Sequence, residues 1–347
     1  MEGLKAINSG SPFPSSRLPT VNSATAFDKV VTVLRGGVSF LLATHRDPDF
    51  DGIGSMLALA KALIEVEKDV VLVTEVPVSA PYNRLKGAER IVQRVSAERR
   101  FDAVVVFDCS EMERLGALHH DLQRHELLIN IDHHETNTFF GDLNLVDLNC
   151  SSTGELVFYV IKQAGFAIDL EIAENIFATI RADTGGFRYD NTTSTSLRIA
   201  AEMMDCGVNP WELSRRVMDG YGISRLRLLE MALSTIEFHH EGKIGMMTLF
   251  LEMFRKAGAT LADSERFVDY PRFVSGVELA VLIRQTGEND YKFSLRSNSR
   301  VNVAQLAACF GGGGHAKAAG LECHGSLGTL TKDFLEEAVR FLDGAGI

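Results

Sequence analysis

The chain has 347 residues, 46% of them hydrophobic, and carries 35 Lys and Arg against 46 Asp and Glu, a formal net charge of −11. This length is sufficient for two domains with sizeable cores. The negative charge excludes a general binder of long nucleic acid, because such binding depends mainly on basic residues that contact phosphates. A short anionic substrate, held by cations and a few arginines, is compatible with it.

Composition and cysteine usage also predict the cellular compartment of the protein. No apolar run is long enough to span a bilayer. Residues 1–24 contain Gly, Ser and Pro without an apolar core, so we expect a disordered or loosely attached tail rather than a secretion signal. The five cysteines form no Cys-x-x-Cys pair, which favours buried free thiols in a reducing compartment. We predict a cytoplasmic protein with no membrane partner.

The first predicted strand leads into a loop rich in carboxylates. A helix is predicted over 26–34 and an apolar strand over 39–43, followed by a polar loop and a further helix. The loop contains His45, Asp49 and Asp51, and in extended backbone the two aspartates would point the same way. Because crowded carboxylates are unfavourable without a compensating cation, we predict a metal site. The alternative is that Asp51 only caps the following helix.

Later strands end in the same kind of residues. Strands are predicted over 69–74, over the almost wholly apolar segment 101–107, and over 126–131. Asp108 follows the second of these strands, and an Asp-His-His run at 132–134 follows the third. Because the carboxyl ends of parallel strands meet at one edge of a sheet, we expect these side chains to converge on the first loop.

The middle of the chain is predicted to be helical. Helices are expected over 151–164, 171–181 and 192–204, and Asp183 follows the second of them beside two glycines, which favours a functional site there. A long helical stretch over 209–238 is interpreted as an interdomain connector, with a core helix of either domain as the alternative.

The last third of the chain predicts a smaller α/β domain. Its strands are expected over 243–250, 277–284 and 291–296, and its helices over 301–310 and 331–342. Four consecutive glycines, Gly311–Gly314, precede His315. Consecutive glycines let backbone N–H groups approach an anion, so we favour an anion-contacting loop, flanked by Arg296 and His315, over a tight turn.

Taken together, these motifs resemble the DHH phosphoesterase superfamily. The resemblance is carried by residues 45–55 and by the Asp-His-His run, and residues 294–297 and 312–315 resemble the DHH-associated C-terminal domain. The family implies an α/β fold with an N-terminal parallel-sheet domain covered by helices on both faces. It also implies a smaller C-terminal α/β domain and an active site in the cleft between the two. The expected divisions are a tail at 1–24, the DHH domain at 25–205, a helical connector at 206–239 and the DHH-associated domain at 240–347.

The resemblance also implies a site with two divalent cations, usually Mn²⁺, with Mg²⁺ or Co²⁺ as alternatives. His45 and Asp49 would hold one cation, Asp51, His133 and Asp183 the other, and Asp108 would bridge them. His134 would face the substrate and leaving group, so that His134 and Asp108 are the implied catalytic residues. The implied substrate-binding residues are Arg296, Ser297, Gly312, Gly313, Gly314 and His315.

The two-domain layout most resembles bifunctional oligoribonucleases that also act as 3′-phosphoadenosine 5′-phosphate phosphatases. This implies hydrolysis of short oligoribonucleotides to mononucleotides by two-metal activation of water. The alternatives are a cyclic or linear dinucleotide phosphodiesterase, a single-strand exonuclease and a catalytically inactive nucleotide sensor. The expected partners are short RNA or nucleotides and no long duplex, and a homodimer is an open alternative.

Overall fold

The computed structural model describes residues 21–96, 98–122, 127–217, 222–298, 300–314 and 316–346. The chain forms two compact units, of which the first ends at Gly220 and the second begins at Tyr221. This division falls inside the segment predicted as a connector, so the predicted domain boundaries stay predictions.

The first unit is built around one sheet, with helices before and between its strands and further helices after the last strand. Its strands are β1 (Ser39–Thr44), β2 (Asp69–Val73), β3 (Ile91–Val92), β4 (Ala103–Phe107), β5 (Leu128–Asp132) and β6 (Leu143–Val146). Its helices are α1 (Val21–Gly36), α2 (Phe50–Glu65), α3 (Leu118–Leu122), α4 (Thr153–Ala164), α5 (Leu170–Asp183), α6 (Ser194–Asp205) and α7 (Pro210–Val217). Short 3₁₀ helices cover Tyr82–Arg84, Ala88–Arg90 and Met112–Leu115.

The sheet of the first unit is parallel throughout, in the order β3-β2-β1-β4-β5-β6. Thr44 of β1 pairs with Phe107 of β4, and Phe107 pairs with Ile131 of β5, so the three central strands end almost level. The order of connection reverses between β1 and β4, which is where open α/β sheets form a crevice outside their strand ends. Register and topology therefore bring the residues after these strands together.

Hydrophobic cores lie on both faces of this sheet. Phe40, Leu42 and Val105 pack on one face with residues of α1, α2, α4 and α5. Val104 and Val106 pack on the other with the 3₁₀ helix Met112–Leu115 and α3. Every residue of β4 is buried, as the apolar run predicts. Full burial of a valine or phenylalanine side chain stabilises the fold by about 1.5–3 kcal/mol. The predicted parallel sheet with helices on both faces is confirmed.

Several element bounds differ from the predictions. Helix α1 begins at Val21, inside the segment predicted as a tail, whereas residues 1–20 lie outside the described residues. Helix α2 begins at Phe50, inside the segment predicted as a polar loop, because Asp49 caps it. Strand β6 was not predicted, and its pairing with the buried strand β5 stabilises a segment whose sequence alternates poorly.

The second unit contains a mixed sheet. Its strands are β7 (Glu237–His239), β8 (Ile244–Leu249), β9 (Leu279–Gln285), β10 (Asp290–Ser297), β11 (Gly313–Gly314) and β12 (Ala318–His324). Its helices are α8 (Ile223–Leu233), α9 (Leu251–Ala257), α10 (Asp269–Arg272), α11 (Val303–Ala308) and α12 (Leu327–Gly344), with a 3₁₀ helix at Leu261–Ser264. The strand order is β11-β12-β10-β9-β8-β7, and β8 and β9 pair in parallel.

The stretch predicted to be helical over 209–238 is helical only in part. The described residues form α7 and α8, and Glu237–His239 pairs as a strand with β8 instead of continuing a helix. Leu213 of α7 packs in the core of the first unit, and Leu228 of α8 packs in a core of the second. Both helices are therefore core helices of their own units, which was the alternative interpretation of this stretch.

Two further expectations concern the state of the cysteines and the absence of a membrane-spanning segment. All five cysteines are free. Cys109 and Cys150 are buried as expected, but Cys309 is exposed, so the prediction of burial is wrong for that residue. Among the described residues, the structure contains no helix that combines the length and the apolar character needed to cross a bilayer.

Candidate active site

The candidate site lies at the carboxyl ends of the three central strands of the first unit. His45 follows β1, Asp108 follows β4, and His133 and His134 follow β5. His45 and Asp108 are each only 3% exposed. The sequence prediction that these separate clusters converge at one sheet edge is therefore met by the geometry.

Asp49 and Asp51 reach the site differently from the prediction. Asp49 is the N-cap of α2, and its Oδ1 accepts hydrogen bonds from the N–H groups of Asp51 at 3.0 Å and Gly52 at 3.1 Å. Asp51 lies in the first helical turn, so the two residues are not alternate positions of an extended segment. The interpretation of Asp51 as a simple cap of α2 is wrong as well, because Asp49 has that role. Asp49 Oδ1 also lies 4.0 Å from His45 Nε2.

The carboxylate of Asp51 is held at the N-terminus of another helix, α4. It is fully buried, and its oxygens accept from the N–H groups of Thr153 at 2.6 Å and Gly154 at 3.0 Å. Unpaired N–H groups and the helix dipole stabilise a negative charge at this position. A Cβ at Gly154 would lie 1.8 Å from Thr179 Oγ1, so only glycine lets α4 approach α5 this closely. Helix packing thus fixes the carboxylate.

Asp108 is the central carboxylate of the site. Its Oδ2 lies 3.4 Å from His45 Nε2, and its Oδ1 lies 3.7 Å from His133 Nε2. The Thr153 hydroxyl donates to the same Oδ1 at 3.2 Å. The φ angle of Asp108 is +55°, a left-handed conformation that is uncommon outside glycine and that concentrates at functional sites. The backbone is therefore bent so that one carboxylate faces three histidines, the third being His134, whose Nδ1 lies 3.5 Å from Oδ1.

His133 faces the carboxylates through one ring nitrogen and the backbone through the other. Its Nδ1 lies 3.3 Å from the carbonyl oxygen of Cys150, which can only accept, so Nδ1 carries the proton. Its Nε2 lies 3.2 Å from Asp183 Oδ2 and 3.6 Å from Asp51 Oδ2. Asp183 is the last residue of α5. A histidine whose second nitrogen donates to a carbonyl is the usual arrangement of a metal ligand.

The side chains form groups whose donor atoms lie within 4.8 Å of one another. One group is His45, Asp49 and Asp108, and another is Asp51, His133 and Asp183. A third combines Asp108 with His133 and His134. All six residues proposed from the sequence as metal ligands, and His134, are thus brought together. Asp47, the extra carboxylate of the first loop, is exposed and belongs to none of these groups.

The carboxylates of the site lie close enough to repel one another, and their surroundings shift their pKa values. Burial, with the charges of Asp183 and Asp108, raises the pKa of Asp51 well above its ordinary value. Burial and then Asp108 raise the pKa of Asp49 to about 6, although 48% of its side-chain surface is open to solvent that screens part of this repulsion. Burial alone would raise the pKa of Asp108, but His134 and the other histidines hold it below its ordinary value.

The histidines of the site carry charge that compensates the carboxylates. Burial lowers the pKa of His133, but the carboxylates, led by Asp183, outweigh it and raise the pKa well above its ordinary value. Within the described residues, the cationic partners within 4 Å of the carboxylates at 49, 51, 108 and 183 are all histidines. Buried carboxylates and imidazoles without thiolates suit Mn²⁺ or Mg²⁺. The residues therefore fit divalent cations.

Thr153 is a site residue that the sequence did not reveal. The sequence indicated only that Ser152 or Thr153 begins a helix, and Ser152 does cap α4 by accepting from Glu155 N–H at 3.2 Å. Thr153 instead contacts two carboxylates, Asp51 through its N–H and Asp108 through its hydroxyl. A Ser-Ser-Thr run at a helix start, in a chain with acidic strand ends, is the signal that could have indicated it.

The residues predicted to bind substrate lie in the second unit. Arg296 is half-buried on β10, and its Nη1 donates to the carbonyl of Leu295 at 2.9 Å. Ser297 is only 5% exposed and alternates with Arg296, so the two side chains leave the strand on opposite faces. A shared contact of both side chains with one ligand conflicts with this alternation. His315 lies outside the described residues.

The glycine run is part of a strand pair, not a free loop. Gly313 and Gly314 form β11 and pair with Gly320 and Ala319 of β12. A Cβ at Gly312 would lie 2.3 Å from the carbonyl oxygen of Gly320, so close backbone packing accounts for glycine there. At Gly313 a Cβ would meet nothing within 4 Å, and this residue is exposed. Only part of the run therefore has a packing explanation.

Comparison with known proteins agrees with this architecture. The profile of the DHH family, N-terminal domain, matches residues 39–181, and that of the DHHA1 domain matches residues 244–345. A relative from Thermus thermophilus, the bifunctional oligoribonuclease and PAP phosphatase NrnA, is 35% identical over 299 residues, which cover 86% of this chain and 88% of that protein. A probable enzyme of the same name from Streptococcus mutans is 26% identical over 302 residues, covering 85% and 93%.

Among solved structures, an exopolyphosphatase-related protein from Bacteroides fragilis matches with a TM-score of 0.88 and 26% identity, covering 95% of this chain and 100% of that one. The strand-end motifs, the donor groups and the two family profiles lead to one conclusion. The chain belongs to the DHH family of metal-dependent phosphoesterases and carries a DHHA1 domain, as the resemblance predicts.

Proposed function

We propose that this protein hydrolyses short oligoribonucleotides to mononucleotides and dephosphorylates 3′-phosphoadenosine 5′-phosphate. The observation that carries the proposal is the pair of donor groups on either side of Asp108, whose two oxygens face His45 and His133. Such a pair matches the two-cation sites that hydrolyse phosphate esters. The substrate class is supported by the activities named for the relatives from Thermus thermophilus and Streptococcus mutans.

The proposed site would hold two divalent cations, with Mn²⁺ as the preferred ion. His45, Asp49 and Asp108 would hold one, and Asp51, His133 and Asp183 the other, with Asp108 shared. When bound, such cations supply activation of water and compensation of the charge that develops on the phosphoryl oxygens. Thr153 would keep Asp51 and Asp108 oriented, because it contacts both carboxylates.

His134 is proposed to act on the substrate and its leaving group. Its Nδ1 lies 2.5 Å from Asp132 Oδ1 and 3.5 Å from Asp108 Oδ1. Burial lowers the pKa of His134, but Asp108 and then Asp132 outweigh that effect and raise it. An imidazole with a raised pKa, held beside a carboxylate, can donate a proton or a hydrogen bond to a leaving oxygen. This is the role that the chemistry of a departing nucleoside oxygen requires.

Arg296 is proposed to bind the substrate phosphate or the sugar-phosphate backbone. On β10 it lies directly opposite Ala318 of β12, and the next residue on the same face, Ser294, lies opposite Gly320. Small neighbours on this face leave room for a planar guanidinium to pair with a phosphate. Gly313, on the strand next to Gly320, is proposed to let a ligand approach the backbone. Ser297 is left out, because its side chain is on the other face.

Replacing Arg296 by alanine is expected to lower kcat/KM on nucleotide substrates about ten- to a hundredfold, since a hydrogen bond to a charged group is worth roughly 1.5–3 kcal/mol. Bound metal should not change. The matched control is Lys292→Ala, because Lys292 lies on the same face of the same strand and pairs with Glu322 at 3.6 Å. Equal kinetics of the two variants and the wild type would remove Arg296 from the site.

The substrate class is tested by product analysis on a panel of RNAs from dinucleotides to about twenty nucleotides, with 3′-phosphoadenosine 5′-phosphate and cyclic dinucleotides alongside. With a net charge of −11, each further nucleotide adds repulsion and ordering cost without assured contacts. We therefore expect dinucleotides to about tetranucleotides to be cleaved fastest, with kcat/KM falling as the RNA lengthens. Salt dependence should be shallow, because few basic residues replace counterions.

The other possible outcomes of the substrate panel would each favour one of the alternative functions. A rate that rises with RNA length, together with steep inhibition by salt, would favour a single-strand exonuclease and contradict the proposal. Preferred turnover of cyclic dinucleotides would favour a cyclic dinucleotide phosphodiesterase. Absence of turnover on every substrate, with cations bound, would favour a nucleotide sensor.

A further inference from the structure

Behind His134 lies a buried polar network in which each hydrogen bond has a defined direction. Asp132 is fully buried, and its two oxygens have different partners. Oδ1 lies 2.5 Å from His134 Nδ1, and Oδ2 accepts from Asn137 Nδ2 at 2.5 Å. Asn137 Nδ2 also donates to Asn130 Oδ1 at 2.8 Å, and Asn130 Nδ2 donates to the carbonyl of Cys109 at 3.1 Å.

Backbone groups fix the orientation of the Asn137 amide. The N–H of Phe139 donates to Asn137 Oδ1 at 2.7 Å, and a backbone N–H cannot accept. The amide oxygen of Asn137 must therefore face Phe139, and its NH₂ group must face residue 132. At the other end, the carbonyl of Cys109 can only accept, which turns the Asn130 amide so that its oxygen faces Asn137. Asn137 thus presents a donor, and only a donor, to residue 132.

We infer that Asn137 is a positioning residue that fixes the plane of the Asp132 carboxylate, whose other oxygen accepts from His134 Nδ1 and so keeps the proton on that nitrogen. The inference deepens the proposed function, because it rests on the proposed action of His134 on the substrate. Asp132 accepts from Asn137 with one oxygen and from His134 with the other, so its plane is fixed from both sides. With Nδ1 donating to Asp132, Nε2 is the nitrogen that would act on the reacting group.

Asn137 could orient the side chain at position 132, or it could only fill space beside it. The two roles predict different tautomers of His134 in the Asp132→Asn variant. In the Asp132→Asn variant, a directional Asn137 would hold the new amide oxygen on its own side. The new NH₂ group would then face His134 Nδ1, which must accept, and the proton would move to Nε2. If Asn137 only fills space, the new amide can turn its oxygen toward His134, and the tautomer stays unchanged.

The experiment compares the wild type with Asp132→Asn, Asn137→Ala and the double variant Asp132→Asn/Asn137→Ala. The tautomer is read by long-range ¹H–¹⁵N correlation on ¹⁵N-histidine-labelled protein, free of metal and with Mg²⁺, at alkaline pH where the ring is neutral. The chain has 10 histidines, so the His134 signals are assigned by difference from a His134→Gln spectrum. Turnover is measured with bis(p-nitrophenyl) phosphate, and metal content is measured in parallel.

We expect Nδ1–H in the wild type and in Asn137→Ala, Nε2–H in Asp132→Asn, and a return to Nδ1–H in the double variant. In Asp132→Asn, kcat should fall about a hundredfold with little change in KM or metal content. The double variant should recover about tenfold of that loss, because the two positions are coupled. Rescue by removal of a second side chain is not expected from a structural role.

The control is Asn144→Ala in the Asp132→Asn background. Asn144 Nδ2 donates to the carbonyls of Phe139 and Gly141, so it supports the same segment without touching Asp132. This variant should keep the Nε2–H tautomer. An Nδ1–H tautomer in Asp132→Asn, or an Nε2–H tautomer in the double variant, would overturn the inference. A wild type without diester turnover would instead contradict the proposed function, since the tautomers are read without substrate.

Discussion

Replacing Asp108 by alanine is expected to abolish turnover and to lower the amount of bound divalent cation. Asp108 is the carboxylate whose two oxygens face histidines of both donor groups, His45 at 3.4 Å and His133 at 3.7 Å. Its loss would remove a ligand from each group and leave carboxylates that repel one another. Because bound cations stabilise developing phosphoryl charge by several kcal/mol, we expect a fall in kcat of at least about a thousandfold.

Two further variants make the Asp108 result specific. Asp108→Asn keeps the shape of the side chain and one oxygen for the Thr153 hydroxyl but removes the charge, so it should bind metal poorly as well. Asp47→Ala is the control, because Asp47 is an exposed carboxylate of the neighbouring loop, with 80% of its side chain accessible, outside every donor group. Metal content is measured by elemental analysis after dialysis. Full activity of Asp108→Ala, or of chelator-treated wild type, would contradict the two-cation site.

The part of the site that follows strand ends could be predicted from the sequence. Apolar segments that end in Asp or His identify His45, Asp108 and His133, and parallel topology makes their convergence a geometric consequence. The register adds that Thr44 and Phe107 pair directly, so the residues after them are neighbours. Local sequence and general sheet rules were sufficient for these residues.

The part of the site that depends on contacts between helices could not be predicted in this way. Asp51 was expected to lie in extended backbone, but it lies in the first turn of α2. Its carboxylate is held by N–H groups of Thr153 and Gly154, about a hundred residues away in the chain. The approach of α4 that creates this contact depends on Gly154 against Thr179. Such an arrangement follows from tertiary packing, which no local pattern in the sequence records.

In the second unit, the secondary structure around the glycine-rich segment could not be predicted from the sequence. Strand β12 was not predicted, because Ala318, Ala319 and Gly320 are small residues with weak strand preference. Its pairing with β10 over seven residue pairs supplies the stabilisation that its composition lacks. The face on which Ser297 lies could not be assigned from the sequence either, because this requires the register of β10 relative to the core.

The adjacent histidines of the Asp-His-His run are expected to respond differently to substitution. His133 Nε2 lies within 3.7 Å of three carboxylates, those of Asp51, Asp108 and Asp183, and its Nδ1 is paired with a backbone carbonyl. His133→Ala should therefore weaken cation binding by more than the roughly 10- to 100-fold that loss of an outer hydrogen bond usually costs. Turnover should fall with occupancy and recover partly at high metal concentration.

His134→Ala should bind the cations nearly as well as the wild type and still lose about 10²- to 10⁴-fold in kcat, the usual contribution of a positioned acid or base. The reason is that His134 Nδ1 is held by Asp132 at 2.5 Å, which favours a role toward the substrate over one as a ligand. Titration calorimetry with Mn²⁺ and saturation kinetics at high metal separate the two effects. His324→Ala, at an exposed histidine of the second unit, serves as the control. If His133→Ala and His134→Ala bind Mn²⁺ equally, or if high metal restores His134→Ala, the assignment of the two histidines is reversed or wrong.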